Sequence, residues 1–144
     1  MHNFTLKDVR ISDQFWTRYT GLVPKVIIPY QWDILNDRIE GAELSHCLKN
    51  FKIAAGEGEG CFVGAVFRDS DAYKWLEAVA FSLETNPDDA LEMLADEVID
   101  LIARAQQDDG YINTYYQINK TEKRWTNLME GHELYTAGHL IEAA

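Results

Sequence analysis

Cysteine, proline and basic residues are scarce in this sequence of 144 residues. It has two cysteines and three prolines, and 13 Lys and Arg against 24 Asp and Glu give a formal net charge of −11. Two cysteines cannot form a disulfide framework, and so acidic a protein repels nucleic-acid phosphates and anionic lipid surfaces. We therefore expect neither nucleic acid nor a membrane among its partners.

Long hydrophobic runs are also absent. No stretch approaches the roughly 20 apolar residues of a membrane-spanning helix. The first residues, MHNFTLKD, lack the apolar core of a signal peptide. With 47% hydrophobic and 12% aromatic residues, the composition is typical of a soluble globular domain. The sequence thus predicts a cytoplasmic protein.

Several familiar motifs are missing or incomplete. The glycine-rich segment 56–60 fits neither the dinucleotide fingerprint nor the P-loop, and we interpret it as a turn. His132-Glu133 lacks the second histidine of H-E-x-x-H, because residue 136 is threonine. His132 and His139 are about 10.5 Å apart along a helix axis, too far to share one metal. Motif spacing therefore assigns no catalytic residue and no metal ligand. Cys47 and Cys61 are expected to be buried as small apolar residues.

Hydrophobic periodicity predicts an all-α fold with a short extended arm or strand at 4–11. We expect Pro29 to kink or split the first of the main helices, and Ser70 or Asp71 to cap the third. Segment 86–89 is expected to cap the next helix and to place a proline in its first turn. The predicted helices cover 22–37, 45–55, 72–84, 90–107 and a stretch that starts near 128.

The last predicted helix has no stop signal before Ala144. We therefore interpret residues 1–144 as a single partial domain that is cut within a helix.

Loop lengths suggest where a site lies. The helices over 72–84 and 90–107 are joined by a tight turn and must form an antiparallel hairpin. The long segments 56–71 and 108–127 therefore crowd its opposite end, where the last helix also begins. Long loops on one rim of a helical domain usually mark the binding rim.

The last helix carries candidate binding residues on one face, namely His132, Tyr135, His139 and Glu142. This face contacts a ligand, or it is a solvated polar face. A second, apolar stripe (Leu134, Ala137, Gly138 and Ile141) is expected to pack on neighbouring helices. The rim aromatics Tyr111, Tyr115, Tyr116 and Trp125 stack on sugar rings or fill the gap between loop and helices.

Four segments together resemble glycoside hydrolase family 127, whose characterised members are β-L-arabinofuranosidases. They are IPYQW at 28–32, FRDSDAYKWLE at 67–77, AQQDDGY at 105–111 and GHELYTAGH at 131–139. The resemblance extends over essentially the whole chain and corresponds to the beginning of the family's catalytic domain. It implies antiparallel helical hairpins that form part of an (α/α)6 barrel.

The family's chemistry is implied to lie outside this chain. In the family, a zinc-bound cysteine thiolate attacks the anomeric carbon, and a glutamate acts as general acid/base with retention of configuration. One glutamate and three cysteines hold the zinc, and all of them belong to the part of the barrel beyond Ala144. Neither Cys47 nor Cys61 matches them. The resemblance therefore implies zinc in a full-length parent, and no cofactor in this segment.

The resemblance also implies a sugar-binding residue. The family histidine of the H-E-[LM]-Y segment, which hydrogen-bonds the arabinofuranose, matches His132. His139, Tyr135 and Tyr111 are further candidate substrate-binding residues.

We thus expect the N-terminal segment of a glycoside hydrolase that acts on terminal β-L-arabinofuranosyl or related glycosides. Alone it would be inactive, and its expected partners are the carbohydrate and the missing C-terminal part of the barrel. The apolar flanks of an incomplete barrel favour self-association. The alternative is a stand-alone helical module that binds a sugar or a protein without catalysis.

Overall fold

Helices make up the regular structure of residues 5–144, the range that the computed structural model describes, and no strand occurs in that range. This confirms the all-α prediction for the described residues. A π-helical segment covers Val23–Ile27, and short 3-10 helices cover Leu6–Asp8 and Thr121–Lys123. The α-helices are α1 (Gln14–Thr20), α2 (Ile28–Leu35), α3 (Cys47–Ala54), α4 (Asp69–Thr85), α5 (Asp89–Ala105), α6 (Thr114–Asn119) and α7 (Glu133–Ala143).

The expected extended arm or strand at 4–11 contains a 3-10 turn in its described part, and no strand forms there. A 3-10 helix covers Leu6–Asp8, and the Asp8 carboxylate accepts hydrogen bonds from the backbone and hydroxyl of Thr5 at 2.9 and 3.0 Å. Such local side-chain bonds compete with extended backbone. The strand interpretation is therefore wrong for this part, and Phe4 lies outside the described residues.

The helix before Pro29 is irregular, as predicted, because it changes there from a π-helical to an α-helical segment without a break in the chain of helical residues. Proline lacks the N–H that would continue the helix and its ring crowds the preceding turn. The backbone forms a π-helical turn here, in which the Ile28 N–H donates to the Val23 carbonyl five residues earlier. Pro29 then falls in the first turn of α2, where a missing donor costs little.

Helices α4 and α5 form the predicted hairpin, and their apolar faces build much of the core. Trp75, Val79, Val98 and Leu101 are all buried there. The cap of α5 is Asp88, whose carboxylate accepts hydrogen bonds from the N–H groups of Ala90 and Leu91. Pro87 therefore precedes the cap, so the expectation of a first-turn proline is wrong.

The start of α4 differs from the prediction. Ser70 or Asp71 was expected to cap the helix, but α4 begins at Asp69, and both residues lie inside its first turn. Asp69 is buried and accepts hydrogen bonds from Thr114 instead of capping its own helix. The cap prediction is wrong because α4 starts before both residues, with Arg68 at the N-cap position and no side-chain cap bond, while the carboxylate of Asp69 contacts Thr114, 45 positions away in sequence.

Segment 108–127 is more ordered than expected, because Asn113 caps the short helix α6 within it. Helix α7 begins at Glu133, five residues after the predicted start near Leu128. It packs on α4 and buries Thr136, with Leu140 and Ala143 against the core.

The apolar stripe of α7 that was expected to pack on neighbours is exposed at its two ends and partly buried at Ala137 and Gly138. Leu134 is 60% and Ile141 75% accessible. In the described residues the helix contacts α4 mainly through a neighbouring face, so the packing prediction is wrong for Leu134 and Ile141. No helix within residues 5–144 combines the length and the apolarity needed to cross a membrane.

The two cysteines have different surroundings. Cys47 is fully buried at the start of α3, as predicted, and its thiol lies 3.4 Å from the Arg68 carbonyl. Burial raises the pKa of the Cys47 thiol well above its ordinary value. Cys61 is exposed in the loop before α4, so the prediction of burial is wrong for this residue.

Candidate functional site

The two long segments meet at the N-terminal ends of α4 and α7, as the loop-length argument predicted. The Phe62 and Tyr115 rings lie 5.2 Å apart, which joins segment 56–71 to segment 108–127. The Tyr111 hydroxyl lies 2.5 Å from the Glu133 carboxylate, which joins the second segment to α7. This end of the molecule therefore gathers residues from four separate parts of the chain.

An aromatic–histidine cluster (Phe67, His132, Tyr135 and His139) lies at this end. The His132 ring is 5.2 Å from Phe67 and 5.9 Å from Tyr135, edge to face in both cases. The Tyr135 ring is 4.6 Å from His139. Three of the four predicted substrate-binding residues thus lie together, with imidazole nitrogens and a phenol beside aromatic faces. Such a mixture can bind a sugar, whose C–H faces pack on rings while its hydroxyls take hydrogen bonds.

His132 precedes α7 instead of lying within its first turns. It adopts the left-handed backbone conformation, with φ of 51°. Non-glycine residues disfavour this region, and they adopt it where the surroundings fix it, often at functional sites. His132 is therefore not a helical member of the predicted stripe, and its side chain points in a different direction from those of the helical positions.

Lys74 of α4 joins the cluster, although no motif or periodicity pointed to this residue. Its Nζ lies 2.7 Å from the Tyr135 hydroxyl and 5.1 Å from the centre of that ring. The hydrogen bond from Lys74 lowers the pKa of Tyr135, since the ammonium stabilises the phenolate. The pair is 61 positions apart in sequence, so it could be found only from the packing of α7 on α4.

A cavity of about 490 Å³ adjoins the cluster between the π-helical segment, α2 and α4. Its walls include the apolar Ile28, Leu35 and Trp75. Its polar rim includes Lys74, Arg68 and Asp71, and the last two form an ion pair of 3.1 Å. Because Lys74 also contacts Tyr135, the cluster and the cavity share one edge.

Tyr111 does not join the cluster. It is buried, its hydroxyl donates to Glu133, and the Arg124 guanidinium lies 4.2 Å from its ring centre. Burial, and then the hydrogen bond to Glu133, raise the pKa of Tyr111 well above its ordinary value. Tyr116 is likewise buried, whereas Trp125 is about half exposed. Some of the rim aromatics therefore fill the gap between loop and helices, and others are accessible from outside.

The described residues do not fit a zinc site. Within residues 5–144 no group of three or more His, Cys, Asp and Glu side chains is placed to hold a metal ion. Cys47 is enclosed in the core and Cys61 lies in an exposed loop. We therefore derive no metal chemistry from this part of the chain.

The chain matches a model of the GH127 catalytic domain of beta-L-arabinofuranosidases over residues 8–144. A non-reducing end beta-L-arabinofuranosidase of Bifidobacterium longum subsp. longum is 44% identical over 95% of the chain. The chain spans 23% of the length of that relative.

Two solved GH127 structures share its fold. A crystal structure of a GH127 beta-L-arabinofuranosidase from Geobacillus stearothermophilus T6 is 62% identical, with a TM-score of 0.91 over 94% of this chain and 21% of its own. Another GH127 beta-arabinofuranosidase is 29% identical, with a TM-score of 0.83 over 94% of this chain and 22% of its own. The chain therefore belongs to the GH127 beta-L-arabinofuranosidase catalytic-domain family and corresponds to the N-terminal portion of that domain.

Proposed function

We propose that this chain forms part of the sugar-binding site of a glycoside hydrolase that acts on terminal β-L-arabinofuranosyl or related glycosides. Family membership supports the reaction class. The observation that carries the site is the aromatic–histidine cluster, in which His132, Tyr135 and His139 lie together at the predicted rim.

In this proposal His132 is the principal contact. Its imidazole is half-buried, so a hydrogen bond to a sugar hydroxyl would be partly shielded from water. Tyr135, 42% exposed, offers an aromatic face, and Lys74 fixes its hydroxyl. His139 extends the polar edge by one turn of α7. Tyr111 would support the site indirectly through Glu133, because a direct contact with the sugar would require its hydroxyl to give up the hydrogen bond to Glu133.

The wider architecture is also part of the proposal. The α4–α5 hairpin and α7 would be members of an (α/α)6 barrel, of which residues 1–144 form a single partial domain. The remaining C-terminal part of the barrel would cover the exposed Leu134 and Ile141, which otherwise favour self-association. The general acid/base, the nucleophile and the zinc of the full-length protein would come from that part, so the 144-residue chain alone would be inactive. A cytoplasmic location stays a prediction.

The test compares the native-length protein with the 144-residue chain. We expect the native-length protein to hydrolyse para-nitrophenyl β-L-arabinofuranoside, and the short chain not to. His132→Ala in the native-length protein should lower kcat/KM by roughly tenfold or more, the value of about one hydrogen bond.

His46→Ala is the matched control, since His46 is also a left-handed histidine directly before a helix, α3, and lies outside the cluster. It should leave kcat/KM unchanged. A native-length protein that neither hydrolyses the glycoside nor binds L-arabinose would contradict the proposal. If the native product has the mass of 16.5 kDa itself, a stand-alone binding module becomes the better account.

A further inference from the structure

Three consecutive residues at the start of α7 are held by different parts of the chain. Gly131 donates its N–H to the Asn127 carbonyl at 2.8 Å and lies against the Tyr116 hydroxyl. Glu133 is buried with 2% accessibility although it is a carboxylate. His132 lies between them in the left-handed conformation. The backbone of His132 is therefore fixed from both sides.

Glu133 provides the stronger of the two attachments. One carboxylate oxygen accepts from the Tyr111 hydroxyl at 2.5 Å, and the other accepts from the Trp125 N–H at 2.8 Å. Trp125 is itself left-handed, with φ of 60°. A buried carboxylate is tolerated only where such bonds replace its water. The single side chain of Glu133 thus joins α7 to two points of segment 108–127.

The carbonyl of His132 is fixed by a second set of bonds. It accepts from the backbone N–H of Thr136 at 2.9 Å and from its hydroxyl at 2.6 Å. The Thr136 hydroxyl also lies 3.3 Å from the Asn113 side-chain amide, and both residues are about 1% accessible. The carbonyl of His132 is therefore linked, through the buried Thr136, to the cap of α6.

We propose that Glu133 is the positioning residue of the sugar site, which holds His132 in the left-handed conformation that directs its imidazole toward Phe67 and Tyr135. Both oxygens of Glu133 are engaged with Tyr111 and Trp125, so it acts through His132 and does not touch the sugar. This inference rests on the proposed function for its effect on activity. Its effect on the geometry of His132 does not depend on which ligand binds.

The activity test is a double-mutant cycle in the native-length protein. Glu133→Ala should lower kcat/KM on the arabinofuranoside to the level of His132→Ala. The double variant should be no worse than either, within about twofold, because an imidazole out of place contributes no more than a missing one. Losses that multiply would overturn the inference.

A conservative variant separates positioning from charge. In Glu133→Gln the amide oxygen can accept from the Trp125 N–H while the amide N–H donates to the Tyr111 hydroxyl, so both attachments survive. We expect near-normal kcat/KM for this variant. If Gln is as damaging as Ala, the carboxylate acts by its charge and the inference is wrong. This variant also guards against a Glu133→Ala protein that fails to fold.

Asn50→Ala is the matched control for lost buried polar bonds. Asn50 is 1% accessible and makes two hydrogen bonds to the backbone of Val63, at 2.9 and 3.2 Å. It should lower Tm in a similar way, yet its effect on kcat/KM should be small and should multiply with that of His132→Ala. If Asn50→Ala lowers kcat/KM as much as Glu133→Ala does, and likewise adds nothing to the loss in His132→Ala, both substitutions act through stability alone.

A readout without substrate distinguishes the two proposals. The rate at which diethyl pyrocarbonate modifies each histidine can be followed by mass spectrometry. Glu133→Ala should change the rate at His132 and leave His46 unchanged, whereas Glu133→Gln should change neither. If the wild-type protein has no arabinofuranosidase activity, the proposed function fails, and this pattern still decides the role of Glu133. Equal His132 rates in all three proteins would overturn it.

Discussion

Thr114 donates two hydrogen bonds to the buried carboxylate of Asp69. Its N–H lies 2.7 Å from Oδ2, and its hydroxyl donates to Oδ1. Both residues are at most 1% accessible, and they stand at the first positions of α6 and α4. This pair ties the long segment 108–127 to the helix that carries Lys74, and it puts an ionisable group into the core.

The pair predicts a particular pH dependence of stability. Burial raises the pKa of Asp69 from 3.8 to about 6, although the bonds from Thr114 act in the opposite direction. Between these values the folded state binds the proton more tightly than the unfolded state does. The contribution of Asp69 to the free energy of unfolding should therefore fall as pH rises from about 4 to about 6, by on the order of 3 kcal/mol.

Urea unfolding from pH 3.5 to 7, in about half-unit steps, measures this slope. Asp69→Asn is the comparison, because the amide does not titrate and keeps one acceptor. The difference in free energy of unfolding between the two proteins should change over the pH 4–6 window. A constant difference would show that Asp69 has the same pKa folded and unfolded.

Removing the hydroxyl of Thr114 should also be costly. Thr114→Val keeps the shape but leaves one Asp69 oxygen without its donor, so we expect a loss of about 1–3 kcal/mol in the free energy of unfolding. Thr121→Val is the control in the same segment, because Thr121 is exposed and its hydroxyl bonds are long, at 3.4 Å. It should change stability by less than about 0.5 kcal/mol. If Thr114→Val and Thr121→Val change the free energy of unfolding equally, the contact between Thr114 and Asp69 contributes no special stability.

Alanine substitutions at Gly131 and Gly138 should change the free energy of unfolding in opposite directions. A Cβ on Gly131 would collide with the Tyr116 hydroxyl and lie 2.5 Å from the Asn127 carbonyl oxygen. We expect Gly131→Ala to cost about 1–3 kcal/mol in the free energy of unfolding. Tyr116→Phe would relieve only part of the cost, because the Asn127 oxygen belongs to the backbone.

Gly138→Ala is the matched control within α7. A Cβ there would meet no described heavy atom within 4 Å, and alanine favours helix by up to about 1 kcal/mol. Thermal unfolding of both variants tests the pair. A stabilising Gly131→Ala would contradict the close packing beneath His132.

Lys74 should control the ionisation of Tyr135. Because the ammonium lowers the pKa of Tyr135, Lys74→Met should raise that pKa toward its ordinary value. The ultraviolet absorbance change on alkaline titration, with a Tyr135→Phe protein to identify the signal, measures the shift. Lys120→Met removes a second lysine–tyrosine pair of the described residues, with Tyr115 at 2.8 Å, and should leave the Tyr135 signal unchanged. An unmoved Tyr135 in Lys74→Met would show that the pair is broken in solution.

Sequence patterns predicted well those elements whose stability depends on local periodicity. The α4–α5 hairpin follows from two long amphipathic stretches with a tight turn, and the π-helical turn before Pro29 follows from one missing N–H. The gathering of both long segments at one end follows from the hairpin alone. These features depend on residues close together in sequence.

The polar contacts of the site could not be predicted in the same way. Asp69 meets Thr114 and Lys74 meets Tyr135 across 45 and 61 positions. Glu133 was not selected from the sequence as a site residue, and no signal in a single sequence distinguishes a buried carboxylate from an exposed one. The start of α7 was missed for the same reason, because Glu133 and Gly131 are fixed by segment 108–127 and not by helix propensity.

The unequal surroundings of the two thiols make the chain convenient for spectroscopy. Cys61 is exposed while Cys47 is sealed in the core, where burial keeps its thiol protonated. A maleimide dye should therefore attach at a single position without any substitution in this chain. That position directly precedes Phe62, whose ring contacts Tyr115 across the two long segments. A fluorophore there would report on movement between these segments as a ligand is added.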